Sequence, residues 1–211
     1  APADGADLTV VPAQGWSPAM DFAATGLPFI PPSPNLRSLE ALFHYPGVCL
    51  MEGTNLSVGR GTDHPFEQVG APWLDTTRVL ARLRATGLPG VRFAGVKFRP
   101  KRPGDDKYPN TTVAGIRLTV TDRDAYDPTA TAVTMMAVIR AVHPGKLTWT
   151  PGQFDRLAGN SVLRLALSGG AQPGAAMEGW PAELQKFVAR SQSALIYPRP
   201  ADLAGGTAPA P

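Results

Sequence analysis

The sequence predicts a mixed α+β fold: a small mixed sheet packed with five or six helices and joined by long ordered loops rich in glycine and proline. Three observations carry that expectation. Apolar residues alternate over Val91–Phe98 and again over Gly115–Thr121, as in strands with one wet face. Helical stripes begin at recognisable caps, Asp75 and Asp127-Pro128. The 22 glycines and 23 prolines make up about a fifth of the 211 residues, against roughly 12% in ordinary usage, which excludes a helix bundle or a coiled coil. With 43% hydrophobic and 8% aromatic residues the chain can bury a core. No apolar run approaches the ~20 residues of a membrane span. The length suits one domain, residues 1–199, followed by a disordered Ala/Gly/Pro tail at residues 200–211.

In chain order, the β-branched run Leu8–Val11 ends at Pro12 and predicts an edge strand. Residues 14–34 hold Trp16, Phe22 and Phe29 among five prolines, the mark of an irregular ordered loop. Asn35 caps a helix through about Tyr45, with Leu36, Leu39, Leu42 and Phe43 on one face, and Pro46-Gly47 stops it. Val48–Met51 predicts a short apolar strand, and Glu52 to Pro72 a long polar segment. From Asp75 a helix runs to about Thr86, with Val79, Leu80 and Leu83 inward and Gly87 at C′. The two alternating strands follow, separated by a turn-rich excursion at residues 100–111. Pro128 suits the first turn of a helix reaching about Val142, where Met135-Met136 reads as core. Helices are expected over Thr150–Ala158, Ser161–Ser168 and Pro181–Tyr197, the last with Leu184, Phe187, Val188 and Leu195 on a stripe.

Charge argues against a nucleic-acid partner. The pI near 9.2 comes from a small excess in a weakly charged chain, 20 Lys+Arg against 17 Asp+Glu. The densest basic run, Lys97 to Arg102, is answered in sequence by Asp105 and Asp106 and reads as a solvated loop or strand end. Cys49 stands alone between Val48 and Leu50, which excludes an intrachain disulfide and suits a buried thiol. His44, His64 and His143 share no ligand spacing, so no metal and no cofactor is expected. Position 1 is Ala with no charged-then-apolar leader after it, as in a processed chain or a piece of a longer one.

The segment from Glu52 to Trp73 is the stretch built for a ligand. Its glycines let backbone N–H groups approach closely. Thr54, Asn55, Ser57 and Thr62 supply neutral donors and acceptors, Glu52, Arg60, Asp63 and Glu67 supply charge, and Trp73 offers a flat face for a sugar ring. The alternative is a long loop whose polar side chains hydrogen-bond its own backbone. Gly59-Arg60-Gly61-Thr62 lacks the strand–GxxxxGK[ST]–helix frame of a phosphate loop. No serine sits in a Gly-x-Ser-x-Gly elbow, so carboxylate chemistry at Glu52 or Glu67 stays open. Trp16, Trp149 and Trp180 suit core or lid packing.

Phe29-Ile-Pro-Pro-Ser-Pro-Asn35, then Tyr45-Pro-Gly-Val-Cys-Leu-Met-Glu-Gly-Thr-Asn-Leu-Ser-Val-Gly-Arg-Gly-Thr62, then Pro65-Phe-Glu-Gln-Val-Gly-Ala-Pro-Trp73 closely resemble the exo-acting β-N-acetylmuramidases of the NamZ type, a bacterial peptidoglycan-hydrolase family. Weaker echoes run on through Val91-Arg-Phe, Gly115 to Asp122 and Phe154 to Gly159. The likeness spans roughly Leu8 to Tyr197 and corresponds to the C-terminal half of such proteins. It implies a partner in an N-terminal Rossmann-like domain missing from this chain, thought to hold the principal catalytic groups, and a substrate cleft at their junction. The implied ligand is a peptidoglycan-derived saccharide ending in N-acetylmuramic acid, met outside the cytoplasm, in a secreted, periplasmic or lipid-anchored protein. The chemistry of that sugar then matches Arg60 to the lactyl carboxylate, Thr54, Asn55 and Thr62 to the hydroxyls and acetamide, and Trp73 to a ring face. Glu52 is the candidate acid or base completing a site begun in the other half, with Glu67 a further substrate-binding carboxylate. The proline-rich loop at residues 28–34 would close one end of the cleft, as exo action requires. The second reading is a non-catalytic saccharide-binding or domain-pairing module, inert alone.

Overall fold

The computed structural model describes residues 5 and 7–197, so the tail expected at residues 200–211 lies outside the described residues. The chain separates into two compact units, Phe29–Glu178 and a smaller one from the two ends, Ala1–Pro28 with Gly179–Pro211.

The larger unit is the expected α+β fold. Helix α1 covers Leu39–Val48 and runs into a 3-10 turn at Cys49–Gly53. Strand β1 is Gln68–Ala71, α2 Thr76–Ala85, β2 Val91–Phe98 and β3 Val113–Val120. Then come α3 at Pro128–Val142, α4 at Pro151–Ala158, α5 at Val162–Gly169 and the short α6 at Pro173–Ala176. The sheet has the order β1-β3-β2 and is antiparallel throughout rather than mixed, with Gln68 opposite Arg117 and Phe98 opposite Val113.

The predicted caps at Asp75 and Asp127 work as expected. Asp75 accepts from Arg78 N at 3.0 Å, and Asp127 from Thr129 N and Ala130 N at 2.8 and 2.9 Å. Other expectations are corrected. Helix α1 is capped by Ser38, which accepts from Ala41 N at 3.0 Å, not by Asn35. The helix also runs through Pro46 instead of stopping there. Packing overrides the local breaker: Ala41, His44, Gly47 and Val48 are buried, and a Cβ at Gly47 would overlap the carbonyl of Pro128 at the start of α3. Residues 48–51 therefore form helix end and 3-10 turn, not a strand. Short apolar runs do not distinguish the two.

The core gathers on α3, where Ala132, Val133, Met135, Met136 and Ile139 are fully buried, against Val48, Met51, Leu56, Phe66 and Ile116. Polar groups are buried as well, Thr131 and Thr134 of α3 and, most completely, His44. His44 donates or accepts at Nδ1 with Tyr126 Oη at 2.7 Å, while Nε2 stands 3.3 Å from Glu40 Oε1 without the alignment of a hydrogen bond. Burial above all holds the imidazole below its usual pKa, although Glu40 and Glu67 pull the other way. Cys49 is half-buried, and desolvation, then the charge of Glu52, pushes its thiol up to about 11.

In the smaller unit, helix α7 covers Trp180–Ser191 and a 3-10 turn follows at Gln192–Ala194, ending short of the predicted Tyr197. The Trp16 ring meets Tyr197 edge-on at 4.8 Å, and the backbone N–H of Ala13 donates to the Tyr197 hydroxyl. Residues 8–11 form no strand and are exposed, as are Leu184, Phe187 and Leu195 of the expected stripe.

Candidate functional site

Two polar centres form in the larger unit. The first lies where the 3-10 turn delivers Glu52. The residue is 8% exposed, and its carboxylate accepts from Arg60 Nε at 2.5 Å. The Arg60 guanidinium rests 5.4 Å above the ring of Phe66, a buried residue in the left-handed region at φ 64°. Lys107 closes the group, its Nζ donating to the Glu52 carbonyl at 2.8 Å. Burial draws the Lys107 ammonium below its usual range, while Asp105 and then Glu52 hold it up. Asp105 turns inward: its Oδ1 accepts from Lys107 N at 3.3 Å, and Oδ2 is buried without a hydrogen-bond partner. Glu52, Arg60, Lys107 and Asp105 thus make a compensated ion cluster. The sequence did not single out Lys107, whose mark was a lysine beside two aspartates in a turn-rich stretch.

Around this cluster, three expected ligand groups hold the loop. Thr54 is buried, donates to Met51 O at 2.7 Å and accepts from Leu56 N at 3.1 Å. The Asn55 amide bridges to residues 146–148, donating to Lys146 O at 2.9 Å and accepting from Thr148 N at 3.0 Å. Thr62 donates to Gly59 O at 2.6 Å and accepts from Gln68 Nε2 at 2.9 Å. Trp73 is half-buried against the core, edge-on to His143 at 5.4 Å. Trp149 packs edge-on against Phe154 at 4.9 Å.

The second centre is an open cleft of about 660 Å³. Arg37 ahead of α1, Lys97 at the end of β2, Arg99, Lys101 and Arg102 beyond it, and Arg117 of β3 all line it. Asp63 is the lone carboxylate residue lining it among the described residues, and it meets Arg37 at 3.8 Å between exposed side chains. The 101–103 loop is held against the glycine-rich segment, with Lys101 N donating to Gly61 O at 2.8 Å. Gly61 has φ 75°, and a Cβ there would sit 2.6 Å from Lys101 O. Among the described residues no ion pair reaches Lys97, Arg99, Lys101 or Arg102. Of the ligand groups expected in the glycine-rich segment, Thr62 and Asp63 line this cleft.

Glu67 stands behind the cleft wall. Its carboxylate accepts from Ser38 Oγ at 2.6 Å, meets His64 Nδ1 at 2.8 Å and lies 4.0 Å from Arg117 Nη1. Arg117 Nη2 donates to Gln68 Oε1 at 2.8 Å, while its Nε is buried without an acceptor. The structure therefore joins Glu52 with Arg60, and joins Thr62 through Gln68 to Arg117 and Glu67. Arg37, Gln68 and Arg117 escaped the sequence reading because only the β1–β3 register and the approach to α1 bring them together. Among the described residues no group of three or more His, Cys, Asp or Glu side chains could hold a metal ion. None of their helices is long and apolar enough to cross a membrane.

Two solved DUF1343 family proteins of Bacteroides fragilis share the fold. One matches at 22% identity and a TM-score of 0.79 over 87% of this chain and 49% of that one. The other matches at 25% identity and a TM-score of 0.61 over 81% and 44%. Peptidoglycan beta-N-acetylmuramidase NamZ of Bacillus subtilis (strain 168) is 38% identical over 193 residues, 91% of this chain and 46% of the relative. The chain thus spans about half the length of the curated relative it matches. The family profile described as exo-beta-N-acetylmuramidase NamZ, N-terminal, matches residues 2–40, and the one described as C-terminal matches residues 43–197. Most of the chain falls under the second, so it belongs to the exo-beta-N-acetylmuramidase NamZ family and carries that family's C-terminal part.

Proposed function

We propose that this chain is the C-terminal half of a peptidoglycan glycoside hydrolase that releases terminal N-acetylmuramic acid from the non-reducing ends of cell-wall fragments. The observation that carries the reading is the 38% identity to the Bacillus subtilis β-N-acetylmuramidase, sustained over 91% of the chain. A Rossmann-like domain ahead of the chain completes the site. The match of residues 2–40 to the family's N-terminal profile supports a further N-terminal part of the protein.

In this reading Glu52 is the acid or base that the chain contributes, positioned by Arg60 and Lys107. Thr54, Asn55 and Thr62 shape the loop through their hydrogen bonds to the backbone, so their effect on sugar binding comes through the position of that backbone. Glu67 fixes His64 and Arg117, and Trp73 offers a half-exposed ring face. The substrate places the protein outside the cytoplasm.

The test is chromophore release from a p-nitrophenyl N-acetylmuramic acid glycoside, by the chain alone and by the chain joined to its preceding half. We expect turnover only from the joined protein. Turnover by the chain alone would put the full catalytic set within these residues. No turnover from either would overturn the muramidase reading. A domain-pairing module, inert alone, is favoured by the compensation of the Glu52 cluster: normal turnover in a joined Glu52→Gln variant would leave the chain in that role.

A further inference from the structure

We propose that the basic cleft is the carboxylate subsite of this protein, with Arg117 as the residue that receives the lactyl carboxylate of a terminal N-acetylmuramic acid. The proposal rests on the muramic-acid reading above and moves the anion contact from Arg60 to a different part of the molecule.

Arg60 is poorly placed for that task. Its Nε is on Glu52 at 2.5 Å and its guanidinium lies over Phe66, so a ligand carboxylate would compete with a nearly buried one. Arg117 differs. Gln68, itself held by Thr62, fixes its orientation through Nη2, and Glu67 stands at the longer distance of 4.0 Å. Its Nη1 has no polar contact closer than that one among the described residues, and its side chain is about a quarter exposed, so the guanidinium is not saturated by the protein. Around it the cleft carries Lys97, Arg99, Lys101 and Arg102 without ion-pair partners among the described residues. Such uncompensated positive charge raises the local concentration of anions.

The lining also indicates which anion. Asn35, Thr62 and Gln68 supply neutral groups for hydroxyls and an amide, and about 660 Å³ is the size of a small-molecule site. Among the described residues Phe98 is the single Phe, Tyr or Trp in the lining and is buried, and the His64 imidazole is tied to Glu67, so the cleft lacks the row of stacking platforms that single-stranded nucleic acid uses. A sugar with one carboxylate fits that lining better than a phosphodiester chain does.

The experiment uses the chain joined to its preceding half and compares the p-nitrophenyl N-acetylmuramic acid glycoside with its lactyl methyl ester, which removes the charge and keeps the ring. The wild type should prefer the acid. Arg117→Gln, and separately the exposed pair Lys101→Ala with Arg102→Ala, should raise KM for the acid about tenfold while KM for the ester and both kcat values stay within about threefold. The loop pair decides the matter if Arg117→Gln fails to fold. Equal treatment of acid and ester by the wild type, or equal losses on both in the variants, would overturn the subsite while leaving the muramidase reading intact. Two competitors complete the test. Inorganic phosphate inhibiting as well as free N-acetylmuramic acid would reduce the cleft to a general oxyanion site. An oligonucleotide inhibiting more strongly would assign it to nucleic acid. Either result overturns the proposal. If the joined protein turns over neither glycoside, titration of this chain with N-acetylmuramic acid and N-acetylglucosamine decides the subsite independently: preference for the acid that is lost in the loop pair supports it, and no preference overturns it.

Discussion

The same residue types stand in opposite settings a few residues apart. At Glu52, Arg60 and Lys107 are partly buried, and each is answered by a carboxylate or carbonyl at hydrogen-bond distance. In the cleft, Lys97, Arg99, Lys101 and Arg102 are exposed, and no ion pair reaches them among the described residues. Partly desolvated charge needs a partner, so the first group orders the loop it sits in. Exposed charge is screened by water and salt, so the second group can stay uncompensated at small cost to the fold and act on what arrives from outside. Charge pairing, more than residue type, separates the scaffold from the candidate binding surface.

The sharpest way to break this contrast is to remove the acid from the compensated cluster. Glu52→Ala should cost about 3 kcal/mol in urea denaturation, because it strands the partly buried Arg60 guanidinium, while Lys107 keeps its bond to the main-chain carbonyl of residue 52. A loss below about 1 kcal/mol would mean that the cluster is no scaffold. Next in size is Asn55→Ala, which removes both bonds to residues 146–148 and should cost about 2 kcal/mol. An unchanged midpoint would return Asn55 to the ligand groups.

A pH series adds a buried group that neither region contains. His44 faces Tyr126, Glu40 and Glu67, and its folded-state pKa lies below 6.5, with burial the largest cause. Below about pH 6.5 the unfolded chain binds a proton that the folded one resists, so stability should be complete above that pH and fall as the medium becomes more acidic. His44→Gln should flatten the imidazole's share of that slope. A slope that persists unchanged would move the effect to the carboxylates. The smallest effect should come from the cleft: Lys101→Ala with Arg102→Ala should shift stability by no more than about 0.5 kcal/mol, in either direction.

Local signals marked α2 and α3 well, because Asp75 and Asp127 cap them through their own side chains and both helices keep their apolar periodicity. The same logic failed at Pro46. What carries α1 past the proline is the fit of Gly47 against Pro128, more than eighty residues away in sequence. Strand β1 escaped notice because Gln68-Val-Gly-Ala is buried on both faces and shows no alternation. At the site, the glycine-rich segment stood out by composition, and its Glu52–Arg60 pair does form. The basic cleft did not stand out. In sequence Asp105 and Asp106 are close enough to answer Lys97–Arg102, but Asp105 turns toward Lys107, and no ion pair joins either acid to the run among the described residues. Arg37 and Arg117 join those cations only after the chain has folded.

Strand β2 lies at one side of the sheet, where its outward backbone groups pair with no other strand among the described residues. Such a row of donors and acceptors can template pairing with a second molecule unless side chains discourage it. Arg92 and Lys97 are exposed on this strand and Pro100 follows just beyond it, the kind of guard that keeps two copies from zipping together. Lys97 therefore protects solubility as well as lining the cleft. A variant that neutralises it should show its first change in light scattering at high protein concentration, before any sugar is added.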